Sequence, residues 1–442
     1  MPDTVTVKNH KIFSKPELMM KPRAIVYNAC VSRGKAWCLK LLKKVVPASL
    51  RSSIRRAVLF LILPLQRQLR RTRRRCNRLN RVWHKRLKAL TLKDIRLHIR
   101  LYIWSMRRGN RPVENSNQIH LINPLQSYTG APLRTLHLFH ELKKHREVFL
   151  WSEREVPSQI AEIYPVKRIV PERFEFPKTG TLVIVSAQAL GPWIRYADPR
   201  RIILVHNSSN MRPRKFRQRL HHISNKGRRK VEVVYASELT KRRVGNHPGF
   251  VEPSLIDIDR FVPSASKPSD FASAAFTIGR LSSDLPHKHH LDDAALYRQL
   301  VDHGCRVRIM GASPSLKVEL GDLEAVTLLP TYAQEAHLFL QGLDCFFYRT
   351  SENYLEAWGR VITEAMACGL PVVCHNRGGY AEIIEDGRNG FLFDTQQEAL
   401  EILLKLKEDP ELRERVGKEA RRTAEELFSD AVRSEIVEFY LR

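Results

Sequence analysis

The stretch Glu356-Ala-Trp-Gly-Arg-Val-Ile-Thr-Glu364, continued by Ala-Met-Ala-Cys-Gly-Leu-Pro-Val-Val to Val373, decides how this chain folds. Ahead of it, Phe346-Phe347-Tyr348 reads as a buried strand, and Pro371-Val372-Val373 reads as the next one. Between them the pattern predicts a loop and then a helix of about ten residues, stopped by Gly369 and Pro371, the usual punctuation after a last apolar position. Val361, Ile362, Ala365 and Met366 form one apolar arc that faces a sheet. Glu364 projects off this arc, one turn inside the helix start, and Glu356 is held in the loop before it.

In an open α/β sheet, ligands bind beyond the carboxyl ends of the strands. A helix N-terminus there presents unpaired N–H groups and a partial positive charge, which suit a diphosphate. Gly359 lets the backbone come close. Glu364 is placed to accept hydrogen bonds from a ribose diol, and Glu356 to hold sugar hydroxyls. Two glutamates at this spacing also occur as solvated residues flanking an ordinary helix, so the wider pattern must decide.

That pattern resembles the signature of the retaining glycosyltransferases of GT-B fold, the large E-x7-E group (glycosyltransferase group 1, family 4 type). Its usual form is Glu-Gly-Phe-Gly, four residues, Glu-Ala, a small-residue turn and Pro-Val-Val; here Ala357 and Trp358 replace Gly and Phe. Gly378-Gly379-Tyr380-Ala381-Glu382 and Asn389-Gly390-Phe391-Leu392 continue it, the glycine pair as a second tight turn near the donor. Phe276-Thr277-Ile278-Gly279-Arg280-Leu281 looks like the first strand of the donor domain, with Lys288 eight residues after Arg280. In the family the matching Arg and Lys clamp the diphosphate. Neutralising a departing phosphate is the main electrostatic demand of such a reaction, and Arg offers a planar fork for it.

The resemblance implies an α/β GT-B chain with two Rossmann-like domains facing a cleft, preceded by a basic helical extension. It implies Glu356, Arg280, Lys288 and His206 as catalytic residues. Glu364, Gly359, Trp358, Gly279, Gly311 and Gly130 would contact the donor. It implies retention, no metal ion and no cofactor, with a nucleotide-diphosphate sugar as co-substrate and a glycan or glycolipid as acceptor. Asp257-x-Asp259 mimics the metal motif of another glycosyltransferase fold, but no carboxylate cluster accompanies it in the sequence.

Composition separates the chain into unlike parts. Its 442 residues allow two or three domains. Residues 1–112 hold 30 Lys/Arg against 3 Asp/Glu, so they carry +27 of the chain's +29. Arg67, Arg70, Arg71, Arg73, Arg74, Arg75 and Arg78 are the densest run, interleaved with Leu69, Leu79, Val82, Trp83 and Leu87. This reads as a basic amphipathic segment for an anionic membrane surface. Docking on the catalytic core and nucleic-acid binding are the alternatives, nucleic acid the less favoured. The longest apolar run, Ala57–Leu65, is far short of the roughly 20 residues a spanning helix needs. Seven cysteines without a zinc spacing favour a reducing compartment. The expected site of action is cytoplasmic, peripheral on the inner face of the cell membrane, in synthesis of a cell-surface glycan. A non-catalytic scaffold of the same fold is the rival reading.

The remaining boundaries are expected at 113–262 (acceptor domain), 263–415 (donor domain) and 416–442 (terminal helices, the last crossing back). Strands are expected at 118–122, 148–151, 182–185, 202–205 and 231–234, then at 276–278, 306–310, 326–328, 345–348, 371–374 and 391–393. His206 follows one strand end, either facing an acceptor or satisfied in place. Arg212, Arg214, Lys215, Arg217 and Arg219 follow it, as an anion-receiving cluster or a solvated helix face.

Overall fold

The computed structural model describes residues 92–108, 117–128, 130–185, 190–264 and 275–442. The arginine run 67–78 and Cys30, Cys38 and Cys76 lie outside them. Two compact units are present, 1–108 and 109–442. Of the first, helix α1 (Leu92–Arg108) is described.

The second unit contains two parallel sheets. The amino-terminal sheet is built from β1 (Ile119–Ile122), β2 (Val148–Ser152), β3 (Val166–Arg168), β4 (Thr181–Ile184), β5 (Arg201–His206), β6 (Glu232–Tyr235) and β7 (Phe250–Val251). Its spatial order is 3-2-1-4-5-6-7. Its principal helices are α2 (Gly130–Lys143), α3 (Ser158–Ala161), α4 (Pro213–Ile223) and α5 (Glu238–Arg243). The carboxyl-terminal sheet contains β8 (Thr277–Leu281), β9 (Arg306–Met310), β10 (Val326–Leu329), β11 (Cys345–Tyr348), β12 (Val372–His375) and β13 (Phe391–Phe393), in the order 10-9-8-11-12-13. Helices α6 (Asp293–Asp302), α7 (Pro314–Leu320), α8 (Ala336–Gln341), α9 (Arg360–Ala367), α10 (Gln396–Glu408), α11 (Pro410–Leu427) and α12 (Asp430–Leu441) complete it.

Every strand pair in both sheets is parallel. That explains why Cys345–Tyr348 and Val372–His375 are near-continuous apolar runs: both faces of these strands are covered. In each sheet the order reverses once. β1 pairs with β2 and β4, and β8 with β9 and β11. These reversals open a crevice at the carboxyl ends, where ligands of doubly wound sheets bind. β3 and β7 were not anticipated. β3 (Val-Lys-Arg) is a short edge strand with mostly exposed residues, and β7 has two residues. Neither carries an apolar period.

Helix α9 shows how the opening stretch works. Gly359, at φ +83°, turns the chain into it, and no side chain caps that end. At its far end Gly369 takes φ +71° and the Leu370 N–H returns to the Ala365 carbonyl at 3.1 Å. Arg421 of α11 donates to the Ala367 carbonyl at 2.7 Å. The helix is covered on more than its sheet-facing arc: Thr363, Glu364 and Ala367 are buried as well, because α11 packs across it. Glu364 is therefore a buried carboxylate, not one standing off an open face.

The last helix packs on the amino-terminal domain. Phe439 stacks on Phe250 with centroids 4.9 Å apart, and Tyr440 donates to Glu252 Oε2 at 2.8 Å. Glu252 pairs with Arg134 of α2 at 2.8 Å, with both side chains fully buried. One polar network thus ties α2, the segment after β7 and the chain's final helix.

Candidate active site

The carboxyl edge of the carboxyl-terminal sheet collects charge. Arg280 leaves β8 fully buried, its guanidinium donating to the Lys288 carbonyl and lying 4.8 Å over the Tyr348 ring. Lys288 extends its ammonium to Glu356 Oε2, which also accepts from the Tyr348 hydroxyl at 2.9 Å. The Lys288 ammonium stands 4.8 Å over the Tyr354 ring. The Gly379 N–H donates to the Glu356 carbonyl at 2.9 Å, so the second glycine turn fixes the loop that carries Glu356.

Burial disfavours charge on Glu356 and Lys288 alike, yet each is held charged by the other. The Glu356 carboxyl ends below its usual range and the Lys288 ammonium above its own. Arg280 is likewise held charged against its burial by Tyr297, Asp293 and Tyr348. Asp293 is the organiser behind it. Its carboxylate accepts the His290 N–H at 3.0 Å and Arg349 Nε at 2.9 Å, and lies 4.0 Å from Arg280. Two arginines and one lysine thus converge on one strand edge, and Arg280 Nε and Nη1 have no hydrogen-bond partner. That is a cationic cradle next to an uncapped helix start, a geometry fitted to a diphosphate.

Glu364 sits one turn along α9, its Oε1 accepting from Arg360 Nε at 2.7 Å. Burial raises its carboxyl, and Arg360 offsets only part of that. Arg360 also donates to the Leu255 carbonyl at 2.8 Å and lies 3.0 Å from His137 Nε2 on α2. It therefore clips the two domains together. Further clips close the same crevice. Ser237 donates to the Ala357 carbonyl at 2.7 Å, Ser209 donates to the Leu355 carbonyl, and Glu382 accepts the Glu238 N–H at 2.8 Å.

Arg280, Lys288 and Glu356 are thus in direct contact, with Glu364 and Gly359 on the adjoining helix. The other sequence candidates stand elsewhere. Trp358 packs with Ala236 of the opposite domain and Ala357, at the domain contact. Gly279 is mid-strand, and a Cβ there would collide with Leu343, so its smallness serves packing. Gly311, at φ +88°, lets the chain after β9 run against the Ser282 carbonyl. Gly130, at φ +44°, opens α2 with nothing within 4 Å of a Cβ. His206, expected among the catalytic residues as either facing an acceptor or satisfied in place, does not face the crevice. It is fully buried, its ring 5.0 Å from Phe216 and 6.0 Å from Tyr235, and burial with Arg219 nearby lowers it to about 4. Arg212, Arg214, Lys215 and Arg217 are exposed on or just before α4, but Arg219 points inward. Asp293, Arg349, Arg360, Tyr348 and Tyr354 were missed. Arg349 was within reach: it directly follows a buried strand, the position from which such sheets address ligands.

Residues 271–423 match the family model described as glycosyl transferases group 1. The match covers the carboxyl-terminal sheet, less than half of the chain.

Other likenesses are partial in sequence. The chain is 43% identical over 81 residues to spore coat protein SA of Bacillus subtilis (strain 168), covering 18% of this chain and 22% of that protein. It is 32% identical over 132 residues to a D-inositol 3-phosphate glycosyltransferase of Thermomonospora curvata, covering 28% and 29% respectively. The chain thus spans less than a third of the length of either relative. The crystal structure of Anabaena HepE in complex with UDP and glucose superposes with a TM-score of 0.57 at 18% identity, covering 73% of this chain and 98% of that one. The GT-B architecture is shared at that level. Among the described residues, no three His, Cys, Asp or Glu side chains are grouped to hold a metal, and no helix is long and apolar enough to cross a membrane.

Proposed function

We propose that this protein transfers a sugar from a nucleotide-diphosphate sugar to a glycan or glycolipid acceptor, with retention and without a bound metal. The observation that carries the reading is the contact between Lys288 and Glu356 beside the buried Arg280, at the carboxyl edge facing the uncapped start of α9. In this reading Arg280 and Lys288 neutralise the leaving diphosphate with the help of the α9 dipole. Glu356 holds sugar hydroxyls, and Glu364 accepts from the ribose diol when Arg360 yields it. Lys288 and Glu356 neutralise one another until a donor phosphate competes for the ammonium. The complex of HepE with UDP and glucose supports a nucleotide sugar as the ligand class.

The acceptor side is proposed to work at an anionic membrane surface, in synthesis of a cell-surface glycan, with residues 1–112 supplying the attraction through their +27 charge. A thermal-shift panel of UDP, GDP, ADP and CDP tests the donor reading. A ligand present at 100 times its dissociation constant adds roughly 2.7 kcal/mol. No shift with any of the four would overturn it. Anomeric NMR of the product and turnover in EDTA test retention and metal independence. Sedimentation with anionic vesicles tests the membrane role.

A further inference from the structure

The loop that carries Glu356 is held at four consecutive backbone carbonyls, 354–357. The Tyr354 carbonyl accepts from Thr350 Oγ1 at 3.0 Å and the Glu356 carbonyl from the Gly379 N–H at 2.9 Å, both within the carboxyl-terminal domain. The other two are held by the opposite domain. The Leu355 carbonyl accepts from Ser209 Oγ, and the Ala357 carbonyl from Ser237 Oγ at 2.7 Å. The residue that meets Lys288 is therefore bracketed, one position to either side, by serine hydroxyls of the amino-terminal domain.

Both serines are buried and fixed in their own domain. Ser209 lies in the segment after β5, and its carbonyl is held by Arg243 Nε at 3.2 Å. Ser237 is the N-cap of α5: its oxygen accepts the Thr240 N–H at 3.2 Å while its hydroxyl donates to Ala357. A serine hydroxyl has one donor and two acceptor sites, so it does both. The start of α5 is in turn seated on the turn 378–382. Glu382 accepts the Glu238 and Leu239 N–H groups at 2.8 and 2.5 Å and pairs with Arg242 at 3.0 Å. A Cβ on Gly379 would lie 2.0 Å from the Ala357 carbonyl oxygen and 2.7 Å from Ser237 Oγ, so the junction closes only over a glycine. Packing this close passes a displacement on rather than absorbing it.

We propose that Ser209 and Ser237 are positioning residues that set Glu356 from across the crevice, so that its loop keeps its geometry only while the two domains are docked. Separating the domains removes the anchors at 355 and 357 and leaves Glu356 between them on the Gly379 bond alone. Arg280 and Lys288 are carried by β8 and its exit, not by this loop. Nucleotide binding should therefore survive loss of the serine contacts, and sugar transfer should not. The catalytic part of this inference rests on the donor reading above; the anchoring of the loop does not.

The test uses the full chain with Ser209→Ala and Ser237→Gly, each lacking one hydroxyl, and Ser209→Thr, which keeps it. Glycine is accepted at a helix N-cap almost as well as serine, so α5 still starts in Ser237→Gly. Hydrogen exchange without any ligand reads the anchoring. The Gly379 amide, bonded to the Glu356 carbonyl, should exchange at least about fivefold faster in both hydroxyl-less variants, with β8 and β11 unchanged. Unchanged Gly379 exchange in both would overturn the anchoring. Turnover reads the positioning. In each hydroxyl-less variant kcat should fall about tenfold, the scale of a small misplacement of a reacting group, with donor KM within about twofold of wild type. Affinity for whichever of UDP, GDP, ADP and CDP stabilises the wild type should be unchanged. Ser209→Thr should lie nearer wild type than Ser209→Ala in both exchange and kcat. Wild-type kcat in both variants, or a loss carried by nucleotide affinity instead, would overturn the positioning role. A nucleotide panel silent in wild type, alongside faster Gly379 exchange in the variants, would mean that the donor reading has failed and the anchor has not.

Discussion

The two domains of the second unit treat buried charge in different ways. In the carboxyl-terminal domain the cations of the cleft all face acids: Lys288 meets Glu356, and Arg280 and Arg349 share Asp293. In the amino-terminal domain Arg134 is paired with Glu252, and no guanidinium nitrogen of Arg219 has a hydrogen-bond partner. Pre-paired cations keep a pocket shaped before its ligand arrives, whereas an unpaired one only adds the cost of its burial. The sharpest check is a pair of substitutions of one kind. Arg134→Met should cost about 3–5 kcal/mol of stability, since Glu252 is left buried and unpaired. Arg219→Met should have the opposite sign. Chemical denaturation of both variants reads this directly, and equal destabilisation would erase the contrast.

Next in size is the effect on chemistry. Lys288→Ala should lower release of nucleotide diphosphate from the donor by about a hundredfold or more, the usual loss for one electrostatic contact made in the transition state. It also strands Glu356, so turnover must be measured well below the variant's melting temperature. A rate within a few-fold of wild type would mean that Lys288 serves only to neutralise Glu356, and that the pre-paired domain is built for stability.

Acid separates the domains by a third route. Burial, the leading cause in each case, lowers His120, His206 and His289 to about 4 and His137 to about 3. Unfolded histidine titrates near 6.5. Between those values the unfolded chain binds more protons than the folded one, so stability falls as pH drops from about 6.5 towards 4. The slope is up to about 1.4 kcal/mol per pH unit for each residue. Three of these four lie in the amino-terminal domain, where burial also lowers His222. Burial in the other domain lowers His287, His337 and His375 besides His289, so the contrast lies in the size of the shifts. In the other domain Glu364, raised by burial, gains its proton more easily when folded and opposes the loss. Glu356, whose carboxyl is held low, matters only at lower pH. Hydrogen exchange at pH 5 should show β1 and β5 opening before β8 and β11. Simultaneous opening would show that the two sheets unfold as one.

The same asymmetry governs what could be read from sequence. The carboxyl-terminal domain was legible because its site is written locally: Glu356, Gly359 and Glu364 stand on one loop and helix, and Arg280 and Lys288 on one strand and its exit. Periodicity and two glycines placed the loop and helix, and the resemblance to the E-x7-E group singled out the charged residues on them. The amino-terminal half of the site was not legible, because its chemistry depends on which way a side chain turns. His206 ends a strand, which looks outward in one dimension and proves buried beneath Phe216 in three. Arg219 belonged to a basic run whose other members are exposed, and no pattern in the run marks the one that turns in. Arg134, Glu252 and Tyr440 are far apart in the chain, and they meet only because the last helix returns to the first domain. Long-range closure of that kind leaves no local trace.

The smallest effects concern the two helix-opening glycines, one in each domain. Gly359 has φ +83°, and a Cβ there would lie 2.8 Å from Tyr380 Cδ1 and 2.9 Å from Ile362 Cδ1. Gly359→Ala therefore meets both backbone strain and a clash, and should cost about 2–3 kcal/mol, with donor affinity falling as α9 shifts. Gly130 has φ +44° and open space around it. Gly130→Ala meets backbone strain alone, about 1 kcal/mol. Part of that is returned by the reduced freedom of the unfolded chain. If Gly130 only starts a helix, the nucleotide thermal shifts of Gly130→Ala should match wild type. If the empty space beside it is where a donor phosphate approaches, the added methyl should weaken nucleotide binding far more than it lowers stability. A several-fold loss of nucleotide affinity with an unchanged melting temperature would return Gly130 to the donor site and make the amino-terminal domain a partner in holding the nucleotide. Matched affinities would leave the diphosphate to the pre-paired domain.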